Sequence, residues 1–245
     1  MTPPKHMGGT VEEAISAFSS GKPVMIFDSA FREMETDLLW PATAATPQVI
    51  RRLRKDCGGL LFLAIGDEIG EVFGLPWLQD IHSQKSLVEE NPVLGHLATN
   101  DLQYDTKSAF TLSLNHRETY TGITDKDRAL TTRRFGELAQ EVVNSGMGVF
   151  EAISALGNEF RTPGHIPVCR ESPGGLNTRQ GHTELAVSIA RLAGVVPCTI
   201  GAEMLEPDGD GALSLSDARD YASKHGIPIL TGDQISTAFE EKELD

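Results

Sequence analysis

Short apolar runs alternate with stretches of helical spacing along this chain, and that alternation limits it to folds that mix helices with a sheet. Pro23-Val24-Met25-Ile26-Phe27 and Leu60-Leu61-Phe62-Leu63-Ala64-Ile65 read as buried strands. Cys198-Thr199-Ile200-Gly201-Ala202-Glu203-Met204-Leu205 reads as a third, carrying one carboxylate among apolar neighbours. Leu38 to Ala42, Gly164 to Val168 and Ile227 to Leu230 are shorter candidates, and Phe110-Thr111-Leu112-Ser113-Leu114 alternates like a half-buried strand. Thr10 and Glu13 form a capping box ahead of Val11, Ala14, Ile15 and Phe18, and Gly21 stops that helix. Thr46-Pro47 opens a helix through Val49, Ile50 and Leu53. Further helices are predicted from about Lys126 to Val143, Val149 to Leu156, through Leu185, Ile189 and Leu192, from about Ser216 to His225, and from Gly232 onward. Gly66 to Asp105 reads as helix fragments and loops. The expected fold is therefore α+β: one domain over residues 1–245, with a mixed β-sheet and helices packed around it. A short N-terminus to about residue 9 is expected to be flexible, and residues from about 240 to 245 to form an acidic tail.

Net charge is −14, which disfavours nucleic acid and anionic membranes as partners but leaves room for a small anion in a locally positive pocket. No apolar run approaches the roughly 18 residues that span a bilayer. Met1-Thr2-Pro3-Pro4-Lys5-His6 has no apolar core of a signal peptide, so a cytoplasmic location is expected. The three cysteines, Cys57, Cys169 and Cys198, are far apart and form no metal or redox signature, so they read as core thiols.

Four stretches could carry chemistry. Arg179-Gln180-Gly181-His182-Thr183-Glu184 follows the bend Ser172-Pro173-Gly174-Gly175 and enters a helix. Free N–H groups at a helix start and a nearby guanidinium attract anions, phosphate above all, and a His in that turn could bind a metal or move a proton. The same residues also read as an ordinary loop with a capped helix. In Arg32-Glu33-Met34-Glu35-Thr36-Asp37, an extended loop would put Glu33, Glu35 and Asp37 on one side, where a divalent cation relieves their repulsion; a solvated acidic loop is the alternative. Glu203, isolated in its apolar strand, is either a carboxylate with a raised pKa, suited to proton transfer, or a strand-edge residue facing water. His165 follows a Pro-Gly bend, and Thr121 precedes a helix start at Thr124-Asp125; both also have plain structural readings.

In their order along the chain these stretches are specific. REMETD, YTGITDKDRALT, EFRTPGH, RQGHTE and the isolated Glu203, spread from about Val11 to Phe239, resemble the 3,4-dihydroxy-2-butanone 4-phosphate synthases, and RQGHTE with KDCGGL resembles the archaeal branch. The resemblance implies an α+β homodimer with active sites at the subunit interface. It implies conversion of D-ribulose 5-phosphate, with Mg²⁺ (or Mn²⁺), to 3,4-dihydroxy-2-butanone 4-phosphate and formate in riboflavin biosynthesis. It assigns Glu33 and His182 to the metal, and Arg179, Gly181 and Thr183, with Gln180 between them, to phosphate binding. Arg32 and Asp37 match substrate contacts, His165 and Glu203 match catalytic residues, and Asp28 and Glu35 match further acids of the active-site loop. Thr121 matches a substrate contact that the neighbouring subunit could supply. Proton loss from C3 of the substrate gives an enediol whose charge needs a Lewis acid, and the later steps need further proton traffic, hence several carboxylates and a His.

The chain departs from the family pattern at four places. Ala30 and Phe31 stand where acids are common, Met34 where Gly or Asn is usual, and Phe62 where the family presents a Cys. These changes keep two other readings open: a non-catalytic sugar-phosphate-binding homologue, and a metal-dependent phosphosugar isomerase. Formate release separates the synthase from both.

Overall fold

Thr10 opens the first helix as its spacing predicts: its hydroxyl accepts the Glu13 N–H at 3.2 Å and its own N–H reaches the Glu13 carboxylate at 2.9 Å. The computed structural model describes residues 9–98, 101, 102, 105 and 107–243. Helix α1 (Val11–Ser19) leads into β1 (Val24–Phe27), the loop 28–35 and β2 (Thr36–Pro41). Then follow α2 (Pro47–Asp56), β3 (Phe62–Ile65) and four short helices, α3 (Asp67–Val72), α4 (Leu78–His82), α5 (Lys85–Glu90) and α6 (Leu94–Leu97). Strand β4 (Phe110–His116) precedes the long α7 (Asp125–Ser145), then α8 (Val149–Glu159) and β5 (Phe160–Arg170). The chain closes with α9 (His182–Leu192), β6 (Cys198–Glu203), α10 (Leu215–His225), β7 (Ile229–Thr231) and α11 (Gly232–Glu243).

The strands form one mixed sheet in the order β4-β5-β3-β6-β2-β1-β7, with β1/β7 and β3/β5 parallel and the other neighbours antiparallel. Side chains alternate across a strand, so each strand feeds two cores. Val24, Ile26, Leu39, Phe62 and Ala64 pack with Phe18 of α1, Leu185 and Ile189 of α9, and Ile235 of α11. Met25, Leu38, Trp40, Leu63 and Ile200 pack on the other face with Ile50 and Leu53 of α2 and Phe135 and Leu138 of α7. Burial on both faces is why the central strands read as unbroken apolar runs.

Several boundaries differ from those expected. β2 starts at Thr36 rather than Leu38, because pairing on both its edges draws Asp37 into the sheet opposite Ile26 and Glu203. β3 starts at Phe62 rather than Leu60, since the Gly59 N–H is given to the Glu203 carbonyl at 3.0 Å. β5 runs for 11 residues, more than twice the Gly164–Val168 expected, because β4 pairs along it as far as Phe160. β4 shows no clean alternation, its pairing being interrupted between Phe110 and Ser113. Residues 240–243 are the last turn of α11, not a tail, while residues 244 and 245 lie outside the described residues. Likewise the expected N-terminal arm lies outside them except for Gly9, whose N–H bonds the Ile229 carbonyl of β7 at 3.2 Å.

The end of β1, the start of β2, the end of β6 and the start of β3 meet at one edge of the sheet: Phe27 pairs with Thr36, Asp37 with Glu203, and Phe62 with Gly201. Helix α9 begins at the same edge, where His182 meets Asp37.

Candidate active site

Asp28 is buried at the foot of the 28–35 loop, where its two carboxylate oxygens accept the N–H groups of Glu33 (2.9 Å) and Glu35 (3.0 Å). The Asp28 N–H closes the loop on the Glu35 carbonyl at 3.1 Å. Between the two glutamates Met34 adopts φ +57°, the left-handed region that Gly and Asn enter most easily. The loop is therefore not the extended strand that the spacing of Glu33, Glu35 and Asp37 suggested. A left-handed residue folds Glu33 and Glu35 toward His182, and Asp37 reaches the same imidazole from within β2.

His182 is the first residue of α9, and its Nδ1 lies 2.8 Å from Asp37 Oδ2. This bond places the proton on Nδ1 and leaves Nε2 with a lone pair. Nε2 is buried and has no hydrogen-bond partner, with Glu33 Oε2 at 3.5 Å and Asp28 Oδ2 at 3.6 Å. Ligand atoms of Glu33, Glu35 and His182 all lie within 4.8 Å of one another. An orphaned imidazole nitrogen beside two carboxylates fits a divalent cation of the Mg²⁺, Mn²⁺ or Zn²⁺ kind. Without a cation the surrounding carboxylates favour the imidazolium form, so a metal binding at Nε2 would displace a proton. Burial pulls the His182 imidazole down, but the charges of Asp37, Asp28 and Glu33 outweigh it and hold it up at about 9. Glu35 is pushed up by burial and by Glu33, Asp37 and Asp28, with His182 opposing.

Glu203 ends β6 opposite Asp37. Burial first, and the Asp37 charge second, push its carboxyl up to about 7. Gly59 lies so close that a β-carbon there would stand 2.5 Å from Glu203 Oε2.

Two guanidinium groups occupy the other side. Arg32 Nη2 and Arg179 Nη2 each donate to the same oxygen, Asp105 Oδ2, at 2.6 Å. Arg32 also bonds Glu33 Oε1 at 2.7 Å, and Arg179 bonds the fully buried Glu184. A β-carbon on Gly181 would lie 2.3 Å from Arg179 Nη1 and 2.8 Å from Arg32 Nη2, so only glycine lets both cations reach the start of α9. The Gly181 N–H is already given to Glu184 at 3.2 Å, so part of the expected anion-binding helix start is capped internally. A cavity of about 300 Å³ joins the two sides, with Glu33, Phe62, Asp105, Arg179, Thr183 and Glu203 in its wall. Gln180 is exposed and borders a second, larger groove together with Arg32 and Arg179.

His165 and Thr121 are not in the wall of this cavity. Both are exposed and gather instead around Asn115 of β4. The His165 N–H donates to Asn115 Oδ1 at 2.8 Å, and Asn115 Nδ2 is 3.1 Å from His165 Nδ1. Thr121 gives its N–H to Asp127 at 3.2 Å, and the adjoining Gly122 lies against the Asn115 amide. Asp105 and Glu184 are the residues whose part in the site the sequence did not signal. Asp105 falls in an irregular segment with no period to point it anywhere, whereas Glu184, three residues after Gly181, could have been recognised as a capping residue.

Fold and site together define an enzyme that handles a small anionic substrate. The chain belongs to the 3,4-dihydroxy-2-butanone 4-phosphate synthase family, whose model matches residues 12–238; these are lyases of riboflavin biosynthesis that act on a phosphosugar. A synthase of this name from Methanosarcina mazei is 40% identical over 237 residues, covering 96% of this chain and 93% of that protein. One from Archaeoglobus fulgidus is 40% identical over 222 residues, 90% of each chain. The solved Candida albicans synthase aligns with a TM-score of 0.68 at 28% identity, over 93% of this chain and 96% of that one. A synthase solved in complex with two magnesium ions shares the fold, with a TM-score of 0.72 at 24% identity over 96% of this chain and 98% of that one.

Proposed function

We propose that this site converts D-ribulose 5-phosphate into 3,4-dihydroxy-2-butanone 4-phosphate and formate with a divalent ion, Mg²⁺ or Mn²⁺, held by Glu33 and His182 with Glu35 beside them. The observation that carries the reading is the buried Nε2 of His182, which has no hydrogen-bond partner and lies 3.5 Å from Glu33 Oε2, in a group whose ligand atoms, Glu35's included, fall within 4.8 Å of one another, while Asp37 holds Nδ1. An ion held there would supply Lewis acidity for the negative charge that develops on the substrate's oxygens. Arg179 and Arg32 bind the phosphate, with Thr183 and the remaining N–H groups at the start of α9 beside them. Gln180 stands at the edge of that seat. Glu203, with its carboxyl pushed up to about 7, can take a proton from the substrate and return it near neutral pH. Asp28 shapes the loop and Asp37 fixes the His182 tautomer; neither needs to touch the reacting carbons.

His165 and Thr121 enter through a second copy of the chain. Within one chain they stand apart from the cavity and exposed, while Leu60 and Phe110 in its wall, and Tyr120 and Ile123 beside Thr121, leave apolar surface uncovered. A homodimer with sites at the subunit interface accounts for both facts. A cytoplasmic setting suits three cysteines that all remain buried thiols, and no described helix is long and apolar enough to cross a membrane.

The test is formate release from D-ribulose 5-phosphate with Mg²⁺ and then with EDTA. EDTA-sensitive formate, stoichiometric with substrate consumed, is the expected result. Substrate binding without formate would move the assignment to a binding homologue, and an isomerised sugar without formate to an isomerase.

A further inference from the structure

We propose that Asp105 is an internal substitute for the substrate's phosphate. Its carboxylate holds Arg32 and Arg179 together in the free enzyme and has to leave both when a phosphorylated ligand binds. This rests on the reading of Arg32 and Arg179 as the phosphate seat.

The geometry is that of a single shared oxygen. Arg32 Nη2 and Arg179 Nη2 converge on Asp105 Oδ2, each at 2.6 Å, although Asp105 lies 73 and 74 residues from them in the chain. All three side chains are nearly buried, so the contact is not a screened surface pair. Each guanidinium already has a further carboxylate, Glu33 for Arg32 and Glu184 for Arg179. Those two acids, with Asp28 3.8 Å from Arg32, already offset the two arginines, so Asp105 is a further carboxylate on the same pair. A phosphate dianion added beside it would face the Asp105 charge at close range in a cavity that shields it little. The phosphate and Asp105 also need the same two Nη2 atoms. The contact is therefore an exchange, one carboxylate oxygen for two or three phosphate oxygens. A tethered carboxylate already competes at a high effective concentration, so a monoanion such as acetate or formate gains little by replacing it, whereas a phosphate brings more acceptors and more charge. Asp105 thus sets selectivity for phosphate over carboxylate. Lys107 and Ser108, just beyond it, are fixed on α4: Lys107 bonds Asp80 at 2.9 Å and stacks on Trp77, and the Ser108 N–H reaches Gln79 at 3.2 Å. The exchange consequently moves the Asp105 side chain rather than β4.

The experiment is titration of the full-length protein with inorganic phosphate and with acetate by calorimetry, in wild type and Asp105→Asn, alongside KM for D-ribulose 5-phosphate. Asp105→Asn is expected to bind phosphate roughly tenfold or more tightly, to lower KM, and to gain measurable acetate binding. Weaker or unchanged phosphate binding in the variant would overturn the proposal, and weaker binding would make Asp105 a brace that the seat requires. Asp105→Ala reads the same exchange if the Asn variant does not fold. Inorganic phosphate keeps this test separate from the catalytic assignment. A protein that makes no formate can still show the exchange, and a protein that makes formate can still fail it.

Discussion

Met34 sets the shape of the acidic loop at a conformational cost. At φ +57° a side chain with a β-carbon is disfavoured by about 1 kcal/mol, so Met34→Asn or Met34→Gly should raise stability by roughly 0.5–1 kcal/mol in urea unfolding with the loop geometry intact. The Gly or Asn that the family resemblance leads one to expect here would carry less of this cost. Glu203 permits a signed pH test. Its folded pKa of about 7 lies above the ordinary 4.5, so the protonated carboxyl favours the fold. That contribution is complete below about pH 4.5 and is lost as the pH rises through 7. Glu203→Gln, permanently neutral, should match wild type in melting temperature near pH 4.5 and exceed it by about 7–13 °C at pH 8 in the metal-free protein. If Glu203 is the base, the same variant should lose about 10²–10⁴-fold in kcat, and wild-type kcat/KM should fall on the acid side with a midpoint at or below 7, since a bound cation favours the ionised form.

At the scale of elements, the site hangs on close approach between backbone and charge. Gly59→Ala would drive a methyl to 2.5 Å from Glu203 Oε2, and Gly181→Ala would drive one to 2.3 Å from Arg179. The first also sets the methyl 2.6 Å from the Glu203 backbone carbonyl, so it should depress kcat and lower the melting temperature by shifting the end of β6, and the second should raise KM or the phosphate dissociation constant with circular dichroism little changed. The helix starts at Thr10 and Thr46, and the core strands of β1, β3 and β6, were legible because capping residues and apolar runs are local signals. The 11-residue β5 was not, because its pairing with β4 lies far away in sequence and Gly164, Pro163 and Pro167 mask its period. Much the same divides the site. Glu33, Glu35, His182 and Glu203 stood out as charges in informative places. Asp105 could not, since only the fold carries it to Arg32 and Arg179.

For the whole molecule, the proposed dimer makes activity a property of two chains, since His165 and Thr121 stand apart from the cavity of their own chain. His182→Ala and His165→Ala should each be inactive alone. Mixed subunits should recover formate production up to about a quarter of wild type, because random pairing makes half the dimers hybrid and leaves each hybrid one complete site. No recovery, with hybrids shown to form, would place His165 in its own chain's site. The Asp28 clamp has a further consequence, for how such a chain can drift. Both carboxylate oxygens of one buried residue fix the base of the loop, while Ala30 and Phe31 at its crest are exposed, Phe31 fully. The crest can change identity, even from acid to aromatic, while the base of the loop, and the cation seat proposed there, keeps its shape. Mutational tolerance and functional constraint are thus partitioned within eight residues, and divergence at the crest says little about whether the chemistry below has been kept.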